Sequence, residues 1–187
     1  ELVDAVIQRF GRLDIAHNNA GISGPTGIPT ISDEALDLWK KLIDTDLNSV
    51  FYCCREEGKV MIPQKSGSII NTASISGTIV NKMEVNGVPV AGVRQVGYCT
   101  AKAGVKHLTK ALAVDWVHHH VRVNSISPGV VNTPLIAGLK NVPGLVETRR
   151  ESIPMGREAE VSEIVGGIIF LASDASSFAT GTDLIID

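Results

Sequence analysis

Apolar residues at helical spacing alternate with short β-branched runs along the whole of this chain, and that alternation admits few folds. Successive strands separated by a helix run parallel, because each helix carries the chain back to the end from which its strand started. Right-handed crossovers then place helices on both faces of the sheet. The expected fold class is α/β, a doubly wound parallel sheet of the Rossmann-like kind.

Residues 2 to 10 read as a helix closed by Gly11, and Leu13-Asp14-Ile15-Ala16-His17 reads as a strand running into Asn18. A second helix follows Ser32, an N-cap with Asp33 and Glu34 in its first turn, and extends to about Ile43. A third, from Leu47 to Ile62, carries Val50, Cys54, Gly58 and Met61 at helical spacing, with Pro63 beyond its end. Strand 68–72 comes next. The helix holding Tyr98 shows Ala101, Val105, Leu108 and Leu112 on one stripe and ends near His118. Val121 to Ile126 form a strand, and Val161, Ile164, Val165, Ile168 and Leu171 mark the last helix before strand 184–186. Four parallel strands are expected. No linker or repeat interrupts them, so the 187 residues form one domain.

Charge and cysteine content narrow the function. Seventeen basic residues against 20 acidic ones give a net charge of -3, with no basic stripe to track a nucleic acid. No apolar run approaches the ~18 residues of a membrane span, and no basic-then-apolar leader opens the chain. Cys53, Cys54 and Cys99 have neither disulfide nor metal-ligand spacing, which fits a reducing, cytoplasmic setting. His118, His119 and His120 are consecutive, so they share no helix face and hold no metal; they read as a C-terminal helix cap. A small-molecule partner is expected.

The chemistry is carried by Tyr98 and Lys102, four residues apart and therefore on one face of their helix, about one turn from each other. A neighbouring ammonium favours the phenolate, which suits the tyrosine to general acid–base work. Ser74 lies just past strand 68–72, at the sheet edge where open α/β folds bind their ligands. Its hydroxyl and the phenol are expected to meet at one substrate oxygen.

These residues, with Asn18-Asn19-Ala20-Gly21, Pro128-Gly129-Val130-Val131-Asn132-Thr133-Pro134 and Ala179-Thr180-Gly181-Thr182-Asp183-Leu184-Ile185-Ile186-Asp187, resemble the short-chain dehydrogenase/reductases over residues 1 to 187. The resemblance implies an NAD- or NADP-dependent enzyme interconverting a secondary alcohol and a ketone. By the same resemblance Tyr98 exchanges the proton. Lys102 binds the nicotinamide ribose and lowers the tyrosine pKa, while Ser74, rather than Ser76, steadies the substrate oxygen. Asn19, Ala20 and Gly21 lie beside the adenosine; Pro128, Gly129, Val131 and Thr133 meet the nicotinamide end. Asp46 occupies the position of the family's fourth catalytic residue, usually asparagine, and is read as a proton-relay member. The resemblance also implies a homodimer or homotetramer, paired through the helices at 47–62 and 98–118.

Two departures stand out. Ser74 and Tyr98 are 24 positions apart, roughly double the family's usual separation, so residues 77–96 form an inserted loop expected to shape the substrate pocket. A glycine-rich phosphate turn after a first strand is missing from the sequence. The chain is therefore read as an internal piece holding the C-terminal portion only of the fold, which would leave a strand edge and an apolar helix face exposed. Segment 135–153 is expected to be a substrate lid. Wording around Ser74 and Pro134 is similar to sugar and polyol dehydrogenases; a 3-oxoacyl-thioester reductase and a non-catalytic binding protein are the alternatives.

Overall fold

The computed structural model describes residues 1–24, 36–80, 96–136 and 144–187, with the backbone of 84–85 and 88–89. Its helices are α1 (Leu2–Phe10), α2 (Leu36–Ile43), α3 (Ser49–Gln64), α4 (Val96–Trp116), α5 (Leu145–Ser152) and α6 (Val161–Ala172). Strands β1 (Ile15–Asn18), β2 (Gly67–Thr72), β5 (Val121–Pro128) and β6 (Asp183–Ile186) form one sheet in the order β1-β2-β5-β6, all parallel. The α/β doubly wound expectation is met. A separate hairpin joins β3 (Glu84–Val85) to β4 (Val88–Pro89).

Parallel strands covered on both faces are apolar throughout their length. Ile69 and Ile70 are adjacent and both fully buried, yet they face opposite layers. Ile69 joins Val121 and Val123 under α3 and α4, with Cys54, Met61 and Val105. Ile70 joins Ile126 under Ile164 and Leu171 of α6. The two layers clamp the central strands, whose C-terminal ends are left to carry loops.

The helix boundaries need correction. The second and third helices of the sequence reading are one helical path, because a π-helical turn at Asp44–Asn48 joins α2 to α3. Ser49 N–H bonds back five residues to the Asp44 carbonyl, and the wider turn rotates Asp46 fully into the interior. Pro63 lies inside α3 rather than beyond it; the helix ends at Gln64 because Lys65 turns left-handed at φ 55°. Proline is tolerated there because only the last turn loses an N–H. The Ser32 cap falls outside the described residues. Of the 77–96 insertion, the described part includes a short hairpin rather than a plain loop. His120 closes the α4 segment at φ 57°, a strained conformation for a residue with a Cβ.

The edge strand β1 and the outer side of α6 are apolar and open. Ile15 is 50% exposed, and Val161, Ile169 and Phe170 are also exposed. Among the described residues no helix is long and apolar enough to cross a membrane.

Beneath β1 and β2 lies a buried polar network. Asn18 donates from its amide to Glu57 at 3.1 Å and to Asn71 at 3.0 Å, and Asn71 donates to Thr109 at 3.0 Å. Burial pushes the Glu57 carboxyl up to about 7 from its ordinary 4.5, against the pull of the Asn18 hydrogen bond. The proton is thus held more tightly in the fold than in the open chain. Stability from this group is complete below pH 4.5 and is lost as pH rises through 7, a difference on the order of 3 kcal/mol. Glu57→Gln keeps an acceptor for Asn18 and removes the titration. Denaturant midpoints measured from pH 4 to 8 are expected to fall with pH more steeply in the wild type than in the variant. All other carboxylates are common to the two proteins and cancel in the comparison.

Candidate active site

Strand ends assemble the site. Asn19 to Gly21 follow β1, Ser74 follows β2, and Pro128 ends β5, so all three turns open at the same edge of the sheet. That edge is where parallel α/β sheets place ligands. A cavity of about 960 Å³ opens there, lined by Asn19, Ala20, Gly21, Ser74, Tyr98, Lys102, Pro128, Gly129, Val131 and Thr133 among others. Of the site residues expected from sequence, Asp46 alone does not line it.

Ser74 is held in extended backbone, and its Oγ accepts the Ser76 N–H at 3.1 Å. Its hydroxyl is near enough to the Tyr98 phenol to pull the phenol's pKa down, and both side chains line the cavity. Ser76 lines the cavity too, but its backbone serves to fix Ser74. Gly77 closes this turn in a tight contact: a Cβ there would lie 2.8 Å from the Lys102 carbonyl carbon and 2.9 Å from the Ala103 nitrogen. Glycine lets the Ser74 turn rest directly on the backbone of α4.

Lys102 projects one turn beyond Tyr98 on α4, buried to 3% exposure. Its Nζ donates to the Thr72 carbonyl at 3.0 Å and stands 5.7 Å from the Tyr98 ring centre. The expected lowering of the Tyr98 pKa by Lys102 is not found. Burial dominates and raises the phenol above its ordinary 10.0, Ser74 opposes the rise, and the charge of Asp46 adds to it. Lys102 is itself pushed down by burial and partly held up by Asp46. The physical reason is burial, which outweighs the other influences on the phenol, while the ammonium is engaged by the Thr72 carbonyl.

Asp46 sits behind the cavity wall. Its Oδ1 accepts the Ile22 N–H at 2.7 Å, while Oδ2 is buried without a hydrogen-bond partner. Burial raises its pKa, and the Ile22 N–H and the Lys102 charge pull it down. Gly21 fits between them, since a Cβ there would come 3.0 Å from Asp46 Oδ1 and 3.3 Å from Lys102 Nζ.

Sequence reasoning missed several neighbours. His17 hydrogen-bonds Thr72 Oγ1 at 2.9 Å, and that hydroxyl donates to Asn19 at 3.2 Å, tying the β1 turn to β2. Arg149 of α5 is 5% exposed, lines the cavity and leaves Nη1 without a hydrogen-bond partner, 4.0 Å from Glu158. Its only sequence signal is a four-residue spacing from Leu145, which puts both on the inner face of a short charged helix.

A family model described as enoyl-(acyl carrier protein) reductase matches residues 1–187. The chain is 39% identical over 187 residues to a sorbose reductase of Candida albicans, covering all of this chain and 62% of that protein. It is 41% identical over 189 residues to an NADP-dependent mannitol dehydrogenase of Alternaria alternata, covering all of this chain and 65% of the relative. The chain belongs to the short-chain dehydrogenase/reductase family. It spans less than two thirds of the length of these two relatives. Among solved structures, the short-chain dehydrogenase/reductase chain resembles a gluconate 5-dehydrogenase from Burkholderia cenocepacia in complex with NADP and tartrate. That likeness has a TM-score of 0.87 at 30% identity and covers 99% of this chain and 67% of the other.

Within this family member the Gly77 contact is directly testable. Gly77→Ala must lift the Ser74 turn off α4, with an expected loss of about 1–3 kcal/mol in urea unfolding. Gly166→Ala on α6, where a Cβ meets nothing within 4 Å, is the control and is expected to leave stability unchanged or raised.

Proposed function

We propose that this chain belongs to an NAD- or NADP-dependent oxidoreductase that interconverts a secondary alcohol and a ketone, with a sugar or polyol as substrate. The observation that carries the reading is that Ser74, Tyr98 and Lys102 line the same cavity at the C-terminal edge of the sheet. Two hydroxyls on one cavity can both reach one substrate oxygen, the arrangement a carbonyl–alcohol conversion needs.

The cavity residues suit a dinucleotide. Gly21 and Gly129 leave the walls free of side chains, Thr133 adds a hydroxyl, and Lys102 brings a buried cation. Asn19, Ala20 and Gly21 would hold the adenosine side, and Pro128, Gly129, Val131 and Thr133 the nicotinamide side, with Lys102 on the ribose. When bound, the nicotinamide exchanges a hydride with the substrate carbon. Tyr98 exchanges a proton with the substrate oxygen, donating it in reduction and accepting it in oxidation. Ser74 holds that oxygen in place. Asp46 keeps Lys102 charged from behind the wall and serves as the proton-relay member.

Segment 135–153, of which 137–143 fall outside the described residues, is the lid in this reading: Leu135, Ile136, Arg149, Ser152 and Ile153 reach the cavity, and α5 rests against β3 of the insertion. A sugar or polyol is supported by the names of the sorbose and mannitol relatives and by the polar Arg149 among apolar lid residues. A homodimer or homotetramer is supported by exposed Phe51 and Tyr52 on α3 and Val114 on α4. Three free thiols suit the cytoplasm.

Tyr98→Phe in the full-length protein is expected to lower kcat/KM for hexitol oxidation by about 10²-fold or more, followed as nicotinamide absorbance. Because the phenol sits above its ordinary pKa, the phenolate needed for oxidation becomes commoner as pH rises. Wild-type oxidation should therefore climb between about pH 7 and 10, and the variant should not. Undiminished turnover by Tyr98→Phe removes the assignment. Arg149→Leu is expected to lower kcat/KM for the hexitol by about tenfold while leaving cyclohexanol oxidation within about twofold, since only the polyol carries hydroxyls besides the reacting one for the guanidinium.

A further inference from the structure

One turn beyond Lys102 on α4, a second buried lysine takes no part in the proton transfer. Lys106 is 9% exposed. Its Nζ lies 2.8 Å from Asp183 Oδ2 of β6 and also donates to Thr78 Oγ1, at the end of the turn that begins with Ser74. The other Asp183 oxygen, Oδ1, accepts the hydroxyls of Ser125 and Ser127 of β5, each at 2.7 Å. Ser127 precedes Pro128 and Gly129. One ion pair therefore links α4, the Ser74 turn and the end of β5, from which the cavity's polar wall is built.

We propose that Lys106 is a positioning residue, gripping Thr78 with one hydrogen bond and Asp183 with another so that the Ser74 turn stays in register with Tyr98. The inference rests on the reading of Ser74 and Tyr98 as the proton-transfer pair. Stability alone does not account for a cation here, because a buried ion pair gains little over apolar residues of the same size. An ammonium does what no apolar side chain can: its three donors hold oxygens from two separate segments at once. Thr78 is the far end of the same turn, its own N–H bonded to the Ile75 carbonyl at 2.8 Å. Gly77 pressed on Lys102 and Thr78 held by Lys106 then fix the turn at two points, one helical turn apart on α4. Two anchors set orientation as well as distance, and Ser74 reaches the phenol only in the correct orientation.

Thr78→Val removes the acceptor on the turn and leaves the ion pair with Asp183 intact, so the fold is kept. Lys106→Met removes both links. In the full-length protein, kcat for alcohol oxidation is expected to fall about tenfold or more in each variant, with KM within about twofold, because misplacement of reacting groups is felt in the chemical step. The second readout needs no turnover. Ser74 holds the Tyr98 pKa down, so displacement of its hydroxyl moves the Tyr98 phenolate titration upward in ultraviolet absorbance, with the Tyr98→Phe spectrum subtracted to remove Tyr52. In Thr78→Val every charge is retained, so an upward movement there reports geometry. Wild-type kcat and an unmoved titration in Thr78→Val overturn the inference. So does a Lys106→Met protein that unfolds at lower temperature yet keeps both. A wild-type protein that oxidises no alcohol overturns the catalytic reading instead, and the titration then still decides the positioning.

Discussion

Contact between the Ser74 turn and the first two turns of α4 is the constraint on which the site depends. Gly77 lies where any side chain would collide with the Lys102 backbone. Two backbones at that separation bring the Ser74 and Tyr98 side chains to one cavity, and Lys102 donates to the Thr72 carbonyl. The sheet makes this approach possible. Ile69 and Ile70 bury opposite faces of β2, so the strand cannot rotate, and its C-terminal end delivers Ser74 to a fixed place.

Burial, more than charge pairing, sets the electrostatics of the interior. Tyr98, Asp46 and Glu57 are all raised first by desolvation, and Lys102 and Arg149 are lowered by it. Lys102 and Asp46 influence one another without a closed ion pair, whereas Lys106 and Asp183 close at 2.8 Å. Arg149 and Glu158 stop at 4.0 Å, leaving an unpartnered polar atom on each. In this layer burial favours the neutral form of Tyr98, Asp46 and Lys102 alike.

Much of this was legible in the residues. Tyr98 and Lys102 share a helix face by spacing alone, and Ser74 follows a strand that any reading of Ser68 to Thr72 finds. Other features left no such mark. The π-turn that buries Asp46 has no periodic signature, because its wider winding spans a single turn. Arg149 looks like one of two surface arginines until α5 turns it inward. The sign of the Tyr98 shift escapes the sequence for a related reason: four residues of spacing put an ammonium nearby, but only packing says how deeply the phenol is buried.

The order of helices and strands, the parallel sheet and the identity of the serine, tyrosine and lysine follow from sequence by itself, because spacing and periodicity are local properties of the chain. Tertiary structure decided the rest: which oxygen each buried cation holds, how far water is excluded, and that Thr78 and Asp183, 105 residues apart, close on the same lysine. Those outcomes depend on distances between segments remote in the chain, and Coulomb and desolvation energies vary too steeply with distance for residue order to reveal them.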